Sequence, residues 1–329
     1  MNRTINALMV GGLVLGLLGC AGSVDERQPE PSPGDHALLG QIWDVEAGRF
    51  VDRSELMAVA RDSEYVLLGE VHINAEHHRL QLEVLEQLAE QGRPPVVFEM
   101  LDSDQQHSID AARAERPDDA DYIAEVTRFG ERGWQWPYYR PLVELALERD
   151  LPLLAGNPPA EQVRDVARGG VEALPDGQAS TLGLDRPLPE VAHADLTERI
   201  VQGHCGHLTP EVAERLVPAQ RIKDASMAEV LRAAEGRPAV LIAGSGHVRT
   251  DYGVPYYLRQ RDPEARVLAL GFVEVWGDWQ QPADYLAQSV GQGHRFDYLW
   301  FTSRTEHGDP CEKFKEGLKR LKKETTPEG

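Results

Sequence analysis

Four ionisable residues stand where short apolar runs end. Tyr65-Val66-Leu67-Leu68-Gly69 leads into Glu70-Val71-His72, and Pro95-Val96-Val97-Phe98 leads into Glu99. Ala239-Val240-Leu241-Ile242-Ala243 leads into Gly244-Ser245-Gly246-His247. A carboxylate beside an imidazole can act as a general base, or the two can ligate a metal. Glu70, His72, Glu99 and His247 are therefore the candidate catalytic set of a hydrolytic centre, and equally the candidate ligands of a divalent metal. His77 follows closely enough to approach the same space. The plainer alternative is that each group is a polar strand end that steadies its loop.

Such residues meet only if the runs that carry them are neighbours. A fully buried parallel strand reads as a short continuous hydrophobic run. In open parallel sheets the ligand crevice lies beyond the carboxyl ends of the strands. Strands are expected at 65–69, 95–99, 151–155, 238–243, 266–271 and 296–301. Leu80, Val84, Leu85 and Leu88 repeat at helical spacing between Ala75 and Gln91. Asp102 with Gln105 resembles a capping box, Pro141 to Arg149 is helical, and Asn157-Pro158 reads as a helix start. The fold expected is α/β, a mostly parallel sheet flanked by helices.

Residues 161–235 carry no strong strand signal and read as a smaller inserted helical domain. The α/β domain then comprises residues 37–160 and 236–305. Residues 306–329 form a charged C-terminal helix or tail, with Lys313, Lys315, Lys319, Arg320, Lys322 and Lys323 around Phe314, Leu318 and Leu321. It reads as a solvated surface helix.

The N-terminus gives an address. Arg3 precedes an apolar stretch, Leu8 to Leu18, of signal-peptide length and too short to span a bilayer. It closes in Leu17-Leu18-Gly19-Cys20, which resembles a bacterial lipoprotein signal. Residues 1–19 would be removed, and Cys20 would carry the lipid, palmitate included, as a membrane anchor. Ala21 follows the cysteine, which by resemblance to other lipoproteins favours the outer membrane, with the protein facing the periplasm. Residues 20–36, rich in Pro, Gly, Ser and charge, read as a flexible tether.

The net charge of -20 becomes one unit more negative when Arg3 leaves. That balance argues against nucleic acid and against electrostatic attraction to anionic lipid. Cys205 and Cys311 are free to pair in an oxidising compartment, although two cysteines do not establish a bond. His204-Cys205-Gly206-His207 offers metal-ligand types but lacks the CxxC spacing of a structural zinc site. Gly244-Ser245-Gly246 could present backbone N–H groups to an anion. With Arg249 at the third glycine position it is no dinucleotide fingerprint. There is no G-x-S-x-G, no H-E-x-x-H and no CxxCH motif. Gly133 to Pro141 is dense in aromatics, and Tyr252, Tyr256 and Tyr257 form a second group. Either could line a flat apolar ligand, and a tyrosine phenolate can bind haem iron.

The chain resembles the ChaN-type haem-binding lipoproteins from about residue 40 to 275. The resemblance rests on Leu67-Leu68-Gly69-Glu70-x-His72 with His77, on Phe98-Glu99-Met100, and on Gly133-Trp134 through Pro141. It also rests on His204-Cys205-Gly206, on Ala219-Gln220-Arg221 with Asp224-Ala225-Ser226-Met227-Ala228, and on Gly244-Ser245-Gly246-His247. Arg221-Ile222-Lys223-Asp224 departs slightly from the expected Arg-Ala-Arg-Asp. The resemblance implies an outer-membrane lipoprotein in haem or iron uptake, with a haem pair held between two protomers through tyrosine ligation. Tyr138, Tyr139, Tyr256 and Tyr257 all remain open for that role, with Arg140 or Arg249 near the propionates and His77 close by. The wider superfamily includes Tiki-type proteases, TraB-like proteins and erythromycin esterases, which use the Gly-Glu-x-His region for hydrolysis. The second reading is thus a peptidase or esterase in which Glu70 or His72 activates water, with Glu99 and His247 assisting.

Overall fold

The computed structural model describes residues 36–286 and 295–305, with Cys311 and Lys315. The expected signal segment, Cys20, and most of the tether and charged tail lie outside the described residues. Among the described residues no helix is long and apolar enough to cross a membrane.

Eight strands form one sheet. They are β1 (Ile42–Asp44), β2 (Arg49–Val51), β3 (Tyr65–Glu70), β4 (Val96–Asp102), β5 (Leu153–Asn157), β6 (Ala239–Gly244), β7 (Val267–Glu274) and β8 (Tyr298–Thr302). The spatial order is β2-β1-β8-β7-β3-β6-β4-β5. All pairings from β8 to β5 are parallel, while β1 pairs antiparallel with both β8 and β2. The six expected strands are all present. The three-residue β1 and β2 were not expected, because runs that short carry no periodicity to read.

The helices on the first stretch of chain are α1 (Arg53–Asp62), α2 (Ala75–Ala89), α3 (Gln106–Glu115), α4 (Ala120–Thr127) and α5 (Trp136–Glu148). Next come α6 (Ala160–Gly169), α7 (Gln178–Thr181), α8 (Glu190–Gly203), α9 (Pro210–Glu214) and α10 (Val217–Ala233), with no strand among them. Two more, α11 (Val254–Arg261) and α12 (Pro282–Leu286), follow later strands. Of the aromatic stretch 133–141, the residues from Trp136 onward belong to α5, which carries Pro141 inside it. Asn157 does not cap α6 as expected. It ends β5 and donates from Nδ2 to Asp102 Oδ1 at 3.0 Å. Asp102 does meet Gln105 reciprocally, opening a short 3₁₀ turn ahead of α3.

Side chains alternate between the two faces of a strand. Val66 and Leu68 of β3, with Val96 and Phe98 of β4, pack in the core under α1 to α5. Tyr65 and Leu67, with Val97 of β4, pack in a second core under α6, α10 and α11. A third, smaller core belongs to the helical stretch itself: Leu188, Ala192, Leu196, Ile200, Ala213 and Val217 close on Tyr252. Within the sheet β6 lies between β3 and β4, and β3 touches β7 on its other side. The carboxyl ends of β3, β6 and β4 are thus adjacent.

Candidate functional site

Strand alternation decides where each acid points. Glu70 continues the Val66–Leu68 series and emerges on the α2/α5 side. Glu99 follows Phe98 and emerges on the α10 side. Both carboxylates are buried. His72, two residues past β3, reaches between them from beyond the strand end.

Glu70 Oε1 accepts from His72 Nδ1 at 2.8 Å and from the hydroxyl of Tyr139 on α5 at 2.5 Å. Its other oxygen makes an ion-pair contact at 3.1 Å with Nδ1 of His78 on α2. His78 Nε2 donates to the His72 carbonyl at 3.0 Å. Burial alone would raise Glu70, but the charge of His78 and the bonds from both imidazoles hold it well below the usual carboxylate range. His78 is raised in return, chiefly because Glu70 outweighs the cost of its burial. Burial, reinforced by Glu70, pushes the Tyr139 phenol well above its ordinary value, so it stays protonated and donates.

On the other face His247 lies between two acids. Its Nδ1 is 2.6 Å from Asp224 Oδ1 on α10, and its Nε2 is 3.2 Å from Glu99 Oε1. Both nitrogens face acceptors, which favours the imidazolium. Despite burial, Glu99 and Asp224 raise His247 well above its ordinary value. Glu99, otherwise raised by burial, is held low by that charge. Burial pushes Asp224 up to about 6 against the pull of His247.

Gly244 joins the halves. Its N–H donates to Glu99 Oε2 at 2.8 Å, so the anion that the Gly-Ser-Gly turn receives is the protein's own carboxylate. Ser245 N–H bonds the Glu70 carbonyl at 2.9 Å. A Cβ at position 244 would stand 2.8 Å from His72 Nε2 and 3.5 Å from Glu99 Oε2. His72 Nε2 therefore looks across the glycine toward Glu99. That nitrogen is buried and has no hydrogen-bond partner among the described residues. Trp134 packs edge-on against the ring at 4.7 Å between centroids. In the neutral imidazole, an Nδ1–H directed at Glu70 leaves the lone pair of His72 on Nε2. The pair has the composition of a general base, with Glu70 setting the tautomer.

The structure thus brings together Glu70, His72, Glu99 and His247, and it corrects two expectations about them. His77 does not approach the cluster: its Nδ1 accepts from Val71 N–H at 2.8 Å and its Nε2 lies 2.7 Å from Thr302 Oγ1, toward β8. The four-residue metal set does not form a cage either, because His247 spends both ring nitrogens on carboxylates and His72 Nδ1 is spent on Glu70. Among the described residues no group of three His, Cys, Asp or Glu is arranged to hold a metal ion.

Sequence reasoning left Tyr139, His78 and Asp224 without these roles. Asp224 had a readable signal, since it stands one helical turn from the buried pair Met227 and Ala228 and two from Leu231. A carboxylate on an apolar stripe needs a partner.

The other singled-out residues lie elsewhere. Arg140 is exposed and pairs with Asp121 at 3.1 Å and Glu144 at 3.2 Å. Tyr138 stacks on His78 at 5.2 Å. Tyr257 is buried and accepts from Arg221 Nε at 2.9 Å. Tyr256 is half-buried, its hydroxyl 3.4 Å from the Pro187 carbonyl. Arg249 is buried over the Tyr252 ring and paired with Asp195 and Asp251. Cys205 and Cys311 form a disulfide, so no thiolate remains beside His204 and His207.

No curated protein matches this chain. Among solved structures, one described as cofacial heme binding to ChaN of Campylobacter jejuni shares the fold, with a TM-score of 0.63 at 19% identity over 80% of this chain and 97% of that one. The type III effector HopBA1 follows at a TM-score of 0.40 and 11% identity, covering 84% and 97%. A mutant of the erythromycin esterase EreC in its open conformation also gives 0.40, at 12% identity, covering 79% and 81%. The sequence model of one family matches residues 56–258, a span that includes every member of the buried cluster. The chain belongs to that family, described as haem-binding uptake, Tiki superfamily, ChaN.

Proposed function

We propose that this protein captures haem as cargo for iron uptake, from a lipid anchor at Cys20 on the periplasmic side of the outer membrane. Membership of the haem-binding uptake family carries this reading. The residues present narrow where haem can sit. Tyr139 and Tyr257 are buried and already bonded, which disfavours them as iron ligands. Tyr138 and Tyr256 are the candidate tyrosines that keep some exposure. Arg140 is held only by exposed ion pairs, each worth about 0–1 kcal/mol, and can turn to a propionate at little cost. Arg249 is locked among acids and is a poor candidate for that task. Titration of the purified protein with hemin tests the reading: a saturable Soret shift is expected, and a spectrum identical to free hemin at every ratio rejects it. Sedimentation with and without hemin reads out whether two protomers share the ligand.

A second reading has its own supporting observation. Haem capture has no use for an unpartnered, buried imidazole nitrogen whose tautomer is set by a carboxylate. That arrangement suits a hydrolase in which His72 Nε2 takes a proton from water and the Glu99–His247–Asp224 chain stabilises charge that develops opposite. A peptide and ester turnover screen, with and without Mn, Co or Zn, checks it. Activity lost in both His72→Ala and Glu99→Ala supports the reading, and silence across the screen counts against it.

A further inference from the structure

We propose, independently of haem capture, that the cationic C-terminal segment 313–323 docks as an amphipathic helix in the cleft between α8 and α9 of its own chain. The inward face of α8 is spent on the small third core. Its outward positions 190, 193, 194, 197, 198 and 201 recur at helical spacing and line an open cleft of about 610 Å³. Leu188, Ala194, Val201 and Pro210 supply apolar wall. Glu190, Glu198 and Glu214 are exposed around it, and no Lys or Arg stands among its described lining residues. Glu214 is steadied by His193, whose Nε2 lies 2.5 Å from Oε1, and by the Thr197 hydroxyl, which donates to Oε2 at 3.0 Å. An apolar trough rimmed by carboxylates is matched by the reverse pattern, an apolar stripe edged by cations.

The chain carries such a segment. Phe314, Leu318 and Leu321 stand at i, i+4 and i+7, the spacing of one helix face. On a helix Lys315 and Lys322 would flank that stripe on one side, Lys313 and Arg320 on the other, and Glu312 and Glu316 would fall opposite it. Cys311 and Lys315, the described residues of this stretch, are both helical. One covalent bond puts the segment within reach of the cleft. Cys311 is joined to Cys205, two residues past Gly203 at the end of α8. From that end the cleft runs back along α8 to Glu190, about 20 Å at the helical rise, and residues 311–323 as a helix cover about 18 Å. A segment turning back along α8 therefore lays its basic edges against the acidic rim. The tether holds it there at an effective concentration on the order of millimolar, so individually weak contacts suffice.

Limited trypsin digestion of the full disulfide-bonded chain, followed by mass spectrometry at the sites from Lys313 to Lys323, tests this. Three variants are compared with the wild type: Leu318→Ser interrupts the apolar stripe, Ala194→Trp fills the cleft, and Glu190→Gln with Glu198→Gln discharges its rim. Each should speed cleavage of the segment at least about threefold, since cutting tracks the undocked population, with unchanged far-UV circular dichroism. A wild-type rate equal to that of Leu318→Ser would overturn the proposal. Slow wild-type cleavage that neither Ala194→Trp nor the double glutamate variant alters would also overturn it, by placing the segment elsewhere. Protection that arises only when phosphatidylglycerol vesicles are added would overturn it in favour of a lipid surface. Carbodiimide coupling gives a second readout: links from the segment's lysines to Glu190, Glu198 or Glu214 within one chain are expected, and links confined to other acids or to a second chain would overturn it.

Discussion

The sheet-end cluster and the α8/α9 cleft are built on opposite plans. At the sheet end seven ionisable or phenolic groups are buried, and almost every polar atom is matched within the protein. In the cleft one imidazole and three carboxylates stand in an open trough with apolar walls. A saturated network is costly to disturb and rewards a chemical step on a small reactant. A sparse trough is cheap to vary. One fold can hold both because the cleft rests on its own small core, away from the strands.

That contrast can be broken by substitution. Glu99→Ala strands the His247 imidazolium beside a single acid, and losing one partner of a buried pair costs about 3–5 kcal/mol; urea unfolding reads this as a lower midpoint. The same network sets the pH response. Glu70 and Glu99 titrate below their unfolded values, so their contribution is complete above about pH 4.3 and is lost as pH falls further. His247 is shifted the other way: its contribution is complete below about pH 6.5 and fades as pH rises through its folded value. Melting temperature followed from pH 7 to pH 3 should drop on the acid side in the wild type, and the gap between wild type and Glu99→Gln should narrow there.

Cys205→Ser with Cys311→Ser should cost about 2–4 kcal/mol, because the bond closes a long loop across the unfolded chain. Tyr139→Phe removes a donor to a buried carboxylate and should cost about 1.5–3 kcal/mol. A calorimetric melt equal to the wild type would show that the Tyr139 hydroxyl is dispensable. His193→Ala should change stability by less than about 0.5 kcal/mol. A larger loss would mean that the cleft is part of the scaffold and not a plan apart from it.

Much of the sheet was legible because buried parallel strands are continuous apolar runs. Tyr65–Glu70 and Ala239–Gly244 were readable to within a residue or two for that reason. The convergence of Glu70, Glu99 and His247 followed from one topological rule about strand ends. The rest needed tertiary information. His77 and His78 are neighbours on α2 and both are buried, so helical spacing could not tell which turns to Glu70. Tyr139 was noticed as an aromatic, but its hydroxyl's partner is 69 residues away on another element. The α8/α9 cleft was illegible because its apolar members, Leu188, Ala194, Val201 and Pro210, form no run and no motif. They share a surface only after two helices pack.

The opposite exits of Glu70 and Glu99 make the sheet a sorting device that works by parity. An even count from Val66 delivers one acid to the α2/α5 layer, and an odd count from Phe98 delivers the other to α10. Inserting one residue just ahead of either acid would hand it to the wrong layer, leaving Tyr139 and His78 or His247 facing an aliphatic side chain. The distance in residues between each apolar run and its acid is therefore a stricter signature of this centre than the identity of the hydrophobic residues that precede it.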